Sequence, residues 1–190
     1  MNEKLWWYIA RSTGIVSWAL VSAAVIWGLL LSTRLLNGRP APKWLLDLHR
    51  HLGGMAVVFT AAHLVGLVAD NYSHFGPADL LVPFANAWKP LHVALGVVAM
   101  YLLVAVEGTS LAMKRMPRRW WRWVHLTSFG VFWLATIHGI TAGTDAGNPV
   151  MWIAYLCVGG IVVFLTLVSI LSGKSSTRGS RTRAARPAQV

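Results

Sequence analysis

The chain has 190 residues, 56% of them apolar against 12% charged, with 11 tryptophans and a formal net charge of +11. That balance excludes a disordered chain and most soluble domains, which carry about 45–50% apolar and about 25% charged residues. The remaining charge flanks apolar runs of membrane length and does not form a nucleic-acid recognition helix.

A bilayer core is crossed by about 20 mostly apolar helical residues, and five such segments follow one another: Ser12 to Leu31, His49 to Ala69, Leu91 to Met113, Trp120 to Ala142 and Val150 to Leu171. They predict an all-α integral membrane bundle of five transmembrane helices over residues 1–173. Ahead of the first, Trp6, Trp7 and Tyr8 read as an interfacial belt. No short apolar region with a small-residue cleavage site is present there, so the first span is expected to be retained. The connection after it carries Arg34, Arg39 and Lys43. Between the second and third spans lie Asp70, Asp79, Lys89 and an apolar stretch too short to cross, which predicts an interfacial turn of helix.

The next connection is strongly basic, with Lys114, Arg115, Arg118 and Arg119, and Arg122 just inside the fourth span. The loop before the fifth holds Asp145. From Lys174 onward the chain is rich in Ser, Arg and Ala, which predicts a disordered basic cytoplasmic tail over residues 174–190 able to meet anionic lipid. By the positive-inside rule the amino terminus lies outside and the carboxyl terminus in the cytoplasm, with the first and third loops cytoplasmic. That alternation fits a bacterial inner membrane better than an outer-membrane barrel. The single cysteine, Cys157, sits in an apolar run, which excludes a disulfide framework and a CxxC pair.

Histidines mark the second and fourth spans. His49 and His63 are 14 residues apart, and His125 and His138 are 13 apart. At about 1.5 Å per residue these separations are roughly 21 and 20 Å. Both helices run in the same direction, so His49 pairs with His125 near the cytoplasmic edge and His63 with His138 nearer the outside. Ionisable groups inside a membrane are costly and usually functional, and two facing imidazoles suit axial ligation of haem iron. Fourteen residues fall about 40° short of four turns, so His49 and His63 share a face. Thirteen fall about 140° short, which requires overwinding or a kink in the fourth span, where Thr127, Ser128 and Gly130 permit one. His51 competes with His49 for the inner position, whereas His74 and His92 read as interfacial residues.

The stretches LDLHRHLGG (residues 46–54), AAHLV (61–65), RRWWRWVHLTSF (118–129) and ATIHG (135–139) resemble the ferric reductase-like transmembrane domain. That group includes ferric reductases, NADPH oxidases and the haem subunit of the bacterial periplasmic methionine sulfoxide reductase system. The resemblance covers residues from about 12 to 142. It implies that His49, His63, His125 and His138 ligate two b-type haems, and it lends precedent to the spacing of 13. Larger members add a preceding span and a following flavin and nicotinamide domain, and neither is expected here. No GxGxxG follows a strand and no P-loop is present. Electrons are therefore expected from a separate cytoplasmic flavoprotein reductase or from a membrane quinol, with ferric iron, oxygen or a partner oxidoreductase as the outside acceptor.

Haem propionates need cations or donors nearby. Arg50 and Arg122 beside the inner pair, and Arg11 and Lys89 near the outer one, are read as such partners or as plain topology signals and interfacial anchors. Glu107, the one carboxylate well inside an apolar run, reads as a proton or quinone contact or as a side chain snorkelling toward Lys114 or Arg115. A rival reading from another class is a transporter or scaffold whose histidines relay protons or tie helices together.

Overall fold

A computed structural model describes residues 4–33, 43–70, 75–145 and 147–184, with side chains to residue 171. All regular structure among them is helical: α1 (Leu5–Ser32), α2 (Lys43–Ala69), α3 (Pro77–Leu81), α4 (Pro90–Leu111), a 3₁₀ turn (Met113–Arg115), α5 (Arg118–Leu126), α6 (Ser128–Ala142) and α7 (Pro149–Ala184). Four helices are long and apolar enough to cross a membrane: α1, α2, α4 and the Pro149–Leu171 part of α7. The chain is a multi-pass membrane protein. Arg34, Arg39 and His74 lie outside the described residues.

The bilayer offers no water to satisfy a buried polar group, so the hydroxyls of α1 bond to their own helix or its neighbour. Thr13 Oγ1 donates to the Ile9 carbonyl at 2.6 Å and Ser22 Oγ to that of Trp18 at 2.7 Å. Ser17 and Thr60 share a hydrogen bond of 2.7 Å between α1 and α2. Small residues bring these two helices together. A Cβ added at Gly66 would lie 2.8 Å from the Ala10 backbone nitrogen, so only glycine permits the approach.

Helices α1 and α2 run antiparallel, with Gly28 beside His49 and Gly14 beside His63. Helix α4 runs antiparallel to α5 and α6, with Ser110 beside Trp121 and Gly96 beside His138. Helix α1 packs along both α2 and α6, and α4 along both α6 and α2. Helices α2 and α6 therefore stand at opposite corners of a four-cornered bundle and are not packed on each other. Helix α7 lies outside it against α1, where Trp18 and Tyr155 meet edge to face at 4.7 Å.

The core contains Val21, Val25, Leu29, Ala56, Leu103, Val131, Phe132, Val162 and Leu165. Ala56 and Phe132 are both 0% exposed. Each lies near the midpoint between the two histidines of its own segment, so an apolar partition closes the bundle at mid-depth.

Three differences from the sequence reading are informative. The predicted fourth span is not one helix but two, α5 and α6, and neither is among the helices long and apolar enough to cross a membrane. The break falls at Thr127, whose N–H bonds to the Val124 carbonyl at 3.0 Å, three residues back, while its Oγ1 takes the same carbonyl at 2.6 Å. The hydroxyl competes with the helical pattern and tightens the turn. Secondly, α7 runs from Pro149 to Ala184, past Leu171 where the fifth apolar run ends. Thirdly, α1 and α2 begin seven and six residues earlier than the apolar runs suggest. The predicted interfacial turn is present as α3, held to α4 by the Tyr101 hydroxyl donating to the Leu81 carbonyl at 2.7 Å.

Replacing Gly66 by alanine must push α1 and α2 apart, and overpacking of this kind costs about 1–3 kcal/mol. At Gly54 a new Cβ meets nothing within 4 Å, so Gly54→Ala leaves stability unchanged or raises it by up to about 1 kcal/mol through helix propensity. Thermal unfolding of the two variants in detergent, followed by circular dichroism, reads the contrast.

Candidate functional site

The four predicted histidines form two pairs, one toward each end of the bundle. At the basic end, the ring centroids of His49 and His125 are 6.0 Å apart, with planes at 72°. Toward the other end, His63 and His138 are close enough to interact electrostatically. The awkward spacing of 13 is accommodated by the break at Thr127, which separates the course of α5 from that of α6.

Each ring is set by a neighbour in chain-specific ways. His63 Nδ1 lies 2.7 Å from the Ala10 carbonyl oxygen, and His138 Nδ1 lies 2.8 Å from that of His92. A carbonyl only accepts, so Nδ1 carries the hydrogen in both rings and each Nε2 keeps a lone pair. His125 stacks on Trp121 at 4.9 Å and 24°, and Trp121 in turn donates its indole N–H to Ser110 Oγ at 3.4 Å. Among the described residues the buried His49 and His125 Nδ1 atoms have no hydrogen-bond partner. A buried ring nitrogen left without a partner is costly, so the described residues do not satisfy this pair.

Glycines give three of the rings their space. A Cβ at Gly28 would lie 3.1 Å from His49 Cε1, one at Gly14 would lie 2.9 Å from His63 Nδ1, and one at Gly96 would lie 2.7 Å from His138 Cε1. These residues were missed by sequence reasoning, although Gly14 and Gly28 repeat the 14-residue spacing of His49 and His63 and so carried a signal. The carbonyls of Ala10 and His92 carried none.

Among the described residues no group of three or more His, Cys, Asp or Glu side chains converges. A protein site for zinc ordinarily supplies three or four ligands. Two imidazoles per site suit a metal that brings its remaining ligands with it, as haem iron does. Imidazoles bound on opposite sides of one ion, at about 2.0 Å per bond, place their ring centroids about 6 Å apart, which matches the His49–His125 separation. The residues present fit that group.

The predicted cations behave differently from one another. Arg11 makes a two-point ion pair with Asp145, Nε donating to Oδ2 at 2.8 Å and Nη2 to Oδ1, and its guanidinium lies 5.2 Å from the Trp7 ring centroid. The Lys89 ammonium donates to the Thr141 carbonyl at 2.9 Å and lies 4.4 Å from the Trp88 ring centroid. Arg50 and Arg122 are exposed at the basic end, Arg50 reaching Asp47 at 3.4 Å. His51 is exposed and stands outside both pairs. Glu107 does not snorkel to Lys114 or Arg115: its carboxylate lies against Gly53 of α2.

Fold and site together define a multi-pass membrane protein with two half-buried imidazole pairs between its helices. The family model described as ferric reductase like transmembrane component matches residues 13–137, well over half of the chain. The chain belongs to that family, a membrane electron-transfer component whose transmembrane domain binds haem in related proteins. The matched interval includes His49, His63 and His125 and stops one residue before His138. No curated protein and no solved structure matches the chain.

The Arg11–Asp145 pair joins residues 134 positions apart. Arg11→Gln and Asp145→Asn should each lower stability, and the double variant should cost no more than the worse single one. A double-mutant cycle by detergent denaturation should return a coupling of about 0.5–1 kcal/mol.

Proposed function

We propose that the chain is a transmembrane cytochrome b holding two haems, and that single electrons pass through it from a cytoplasmic donor to an acceptor outside. The observation that supports this best is the two imidazole pairs, one toward each end, on helices at opposite corners of the bundle. His49 and His125 hold the inner group, and His63 and His138 the outer. Each haem, when bound, supplies an iron that takes up and releases one electron.

The protein's part is positional. The Ala10 and His92 carbonyls hold the Nδ1–H of His63 and His138, which fixes the ring orientation and leaves Nε2 for the metal. Trp121 holds the plane of His125. Gly14, Gly28 and Gly96 let the rings lie close to the neighbouring helices. Arg50 and Arg122 are the cations offered to the carboxylates of the inner group. Arg11 and Lys89 already serve Asp145 and Thr141, so a role at the outer group requires sharing those partners.

The positive-inside rule supports a basic end in the cytoplasm, five spans with the fourth broken at Thr127, an outside amino terminus and a cytoplasmic carboxyl terminus. A bacterial inner membrane is the proposed location. The exposed Lys114, Arg115, Arg118, Arg119 and Arg122 offer an acidic flavoprotein donor a complementary surface. Ferric iron, oxygen or a partner oxidoreductase is the proposed acceptor.

An optical spectrum of protein purified with haem supplied should show two low-spin, bis-histidine b-type haems per chain. His63→Ala and His138→Ala should each remove the same haem, and His49→Ala and His125→Ala the other. A folded protein without haem, or four unrelated effects, overturns the proposal. Reversing charge with Arg118→Glu and Arg119→Glu should slow haem reduction by a reconstituted flavoprotein about tenfold at low salt, with the gap closing as salt screens the surface. An unchanged rate places the donor elsewhere.

A further inference from the structure

Glu107 is the one carboxylate well inside an apolar run, and charge at such depth is retained for a reason more often than not. Its carboxylate oxygens pack against Gly53 of α2 where any Cβ would collide with them, and Gly53 is buried. No hydrogen bond or ion pair joins it to a described residue; the ion pairs there are Arg11–Asp145 and Arg50–Asp47. Lys114 and Arg115 lie two turns further on, past the end of α4 at Leu111.

What surrounds Glu107 belongs to the inner pair. Gly53 is one helical turn from His49 and shares its face. On α4, Ser110 follows Glu107 by one turn and receives the indole N–H of Trp121, the ring stacked on His125. The carboxylate thus sits between the supports of the two imidazoles. Other charged or titratable groups toward this end, among the described residues, are Lys43, Asp47, Arg50 and His51 on α2, Arg118, Arg119 and Arg122 on α5, and Lys114 and Arg115 in the 3₁₀ turn. Toward the far end, α2, α6 and α3 contribute His63, His138 and Asp79. None of these reaches Glu107 within ion-pair distance.

We propose that Glu107 is a redox-linked proton site, which binds one proton when the centre held by His49 and His125 gains one electron. This rests on the haem reading given above. In a medium of low dielectric a carboxylate is stabilised by a nearby positive charge, and among the described residues no cation lies within ion-pair distance of Glu107. The oxidised centre, ferric iron in a dianionic porphyrin, carries one positive charge at its core, and reduction removes it. The electron comes from the donor and reduces Fe(III) to Fe(II). The proton comes from water at the basic end and forms an O–H bond on a Glu107 oxygen. No other bond is made or broken, and the net charge inside the bundle is unchanged.

The test is a potentiometric titration of the haem-loaded full chain across neutral pH, followed optically, with redox-difference infrared spectra. In the wild type the potential of one of the two haems should fall as pH rises, approaching about 59 mV per pH unit, the one-electron value for a tenfold change in proton activity. Glu107→Gln should abolish that slope and leave the other haem unchanged, whereas Glu107→Asp should retain it. Reduction should produce a protonated-carboxyl C=O band that Glu107→Gln lacks. A pH-independent wild-type potential overturns the inference whether or not the variants fold. So does a slope that persists in Glu107→Gln, which assigns the proton to a propionate or another residue. A chain that folds but binds no haem overturns the functional proposal instead.

Discussion

Room for an imidazole between closely packed helices is the constraint on which the rest of the bundle depends. Transmembrane helices associate through small residues that bring backbones together, and α1 and α2 are so close at Gly66 and Ala10 that no Cβ fits between them. An imidazole placed along the same seam survives only opposite another glycine. Gly28 provides that for His49 and Gly14 for His63, in one continuous antiparallel register. Gly96 does the same for His138 from α4. Close packing and the two histidine levels are therefore one design: the small residues that draw the helices together also decide where a ring can lie.

The second constraint is angular. A straight α-helix carries residues 13 apart to different faces, and His125 on α5 and His138 on α6 are 13 apart. Thr127 resolves this by spending its carbonyl partner twice, once through the backbone and once through the hydroxyl. The cost is two short helices, neither of which is among those long enough to cross a membrane. Tertiary contacts replace that lost continuity: Trp18 donates to Thr136 at 3.0 Å, Lys89 closes on the Thr141 carbonyl at 2.9 Å, and Phe132 is fully enclosed.

Much of this was legible in the residues themselves. Four spans stand out because apolar runs of membrane length have few alternative fates. The four histidines stood out because two nearly equal spacings on separate segments are hard to obtain by accident. The need for a kink between His125 and His138 was readable as well, but its site was not, since Thr127, Ser128 and Gly130 all permit one. Backbone carbonyls such as those of Ala10 and His92 leave no trace in side-chain patterns. The partnership of Arg11 with Asp145 spans most of the chain and has no periodic signature. Glu107 was open between a proton or quinone contact and snorkelling, because its approach to Gly53 of α2 leaves no signature in the spacing.

The apolar partition at mid-depth has an electrical consequence. Ala56 and Phe132 are 0% exposed within a cluster that also holds Val21, Val25 and Leu103, so apolar side chains fill the space between the two histidine levels. They are about 20 Å apart along the helices in a hydrocarbon layer about 30 Å thick. A charge moved from one level to the other therefore crosses most of the insulating layer alone, without an ion to accompany it. Such a transfer is coupled to the membrane voltage, at about 2.3 kcal/mol per elementary charge per 100 mV for the full thickness. On the proposed function, an electron passed between the two pairs would therefore feel the membrane voltage.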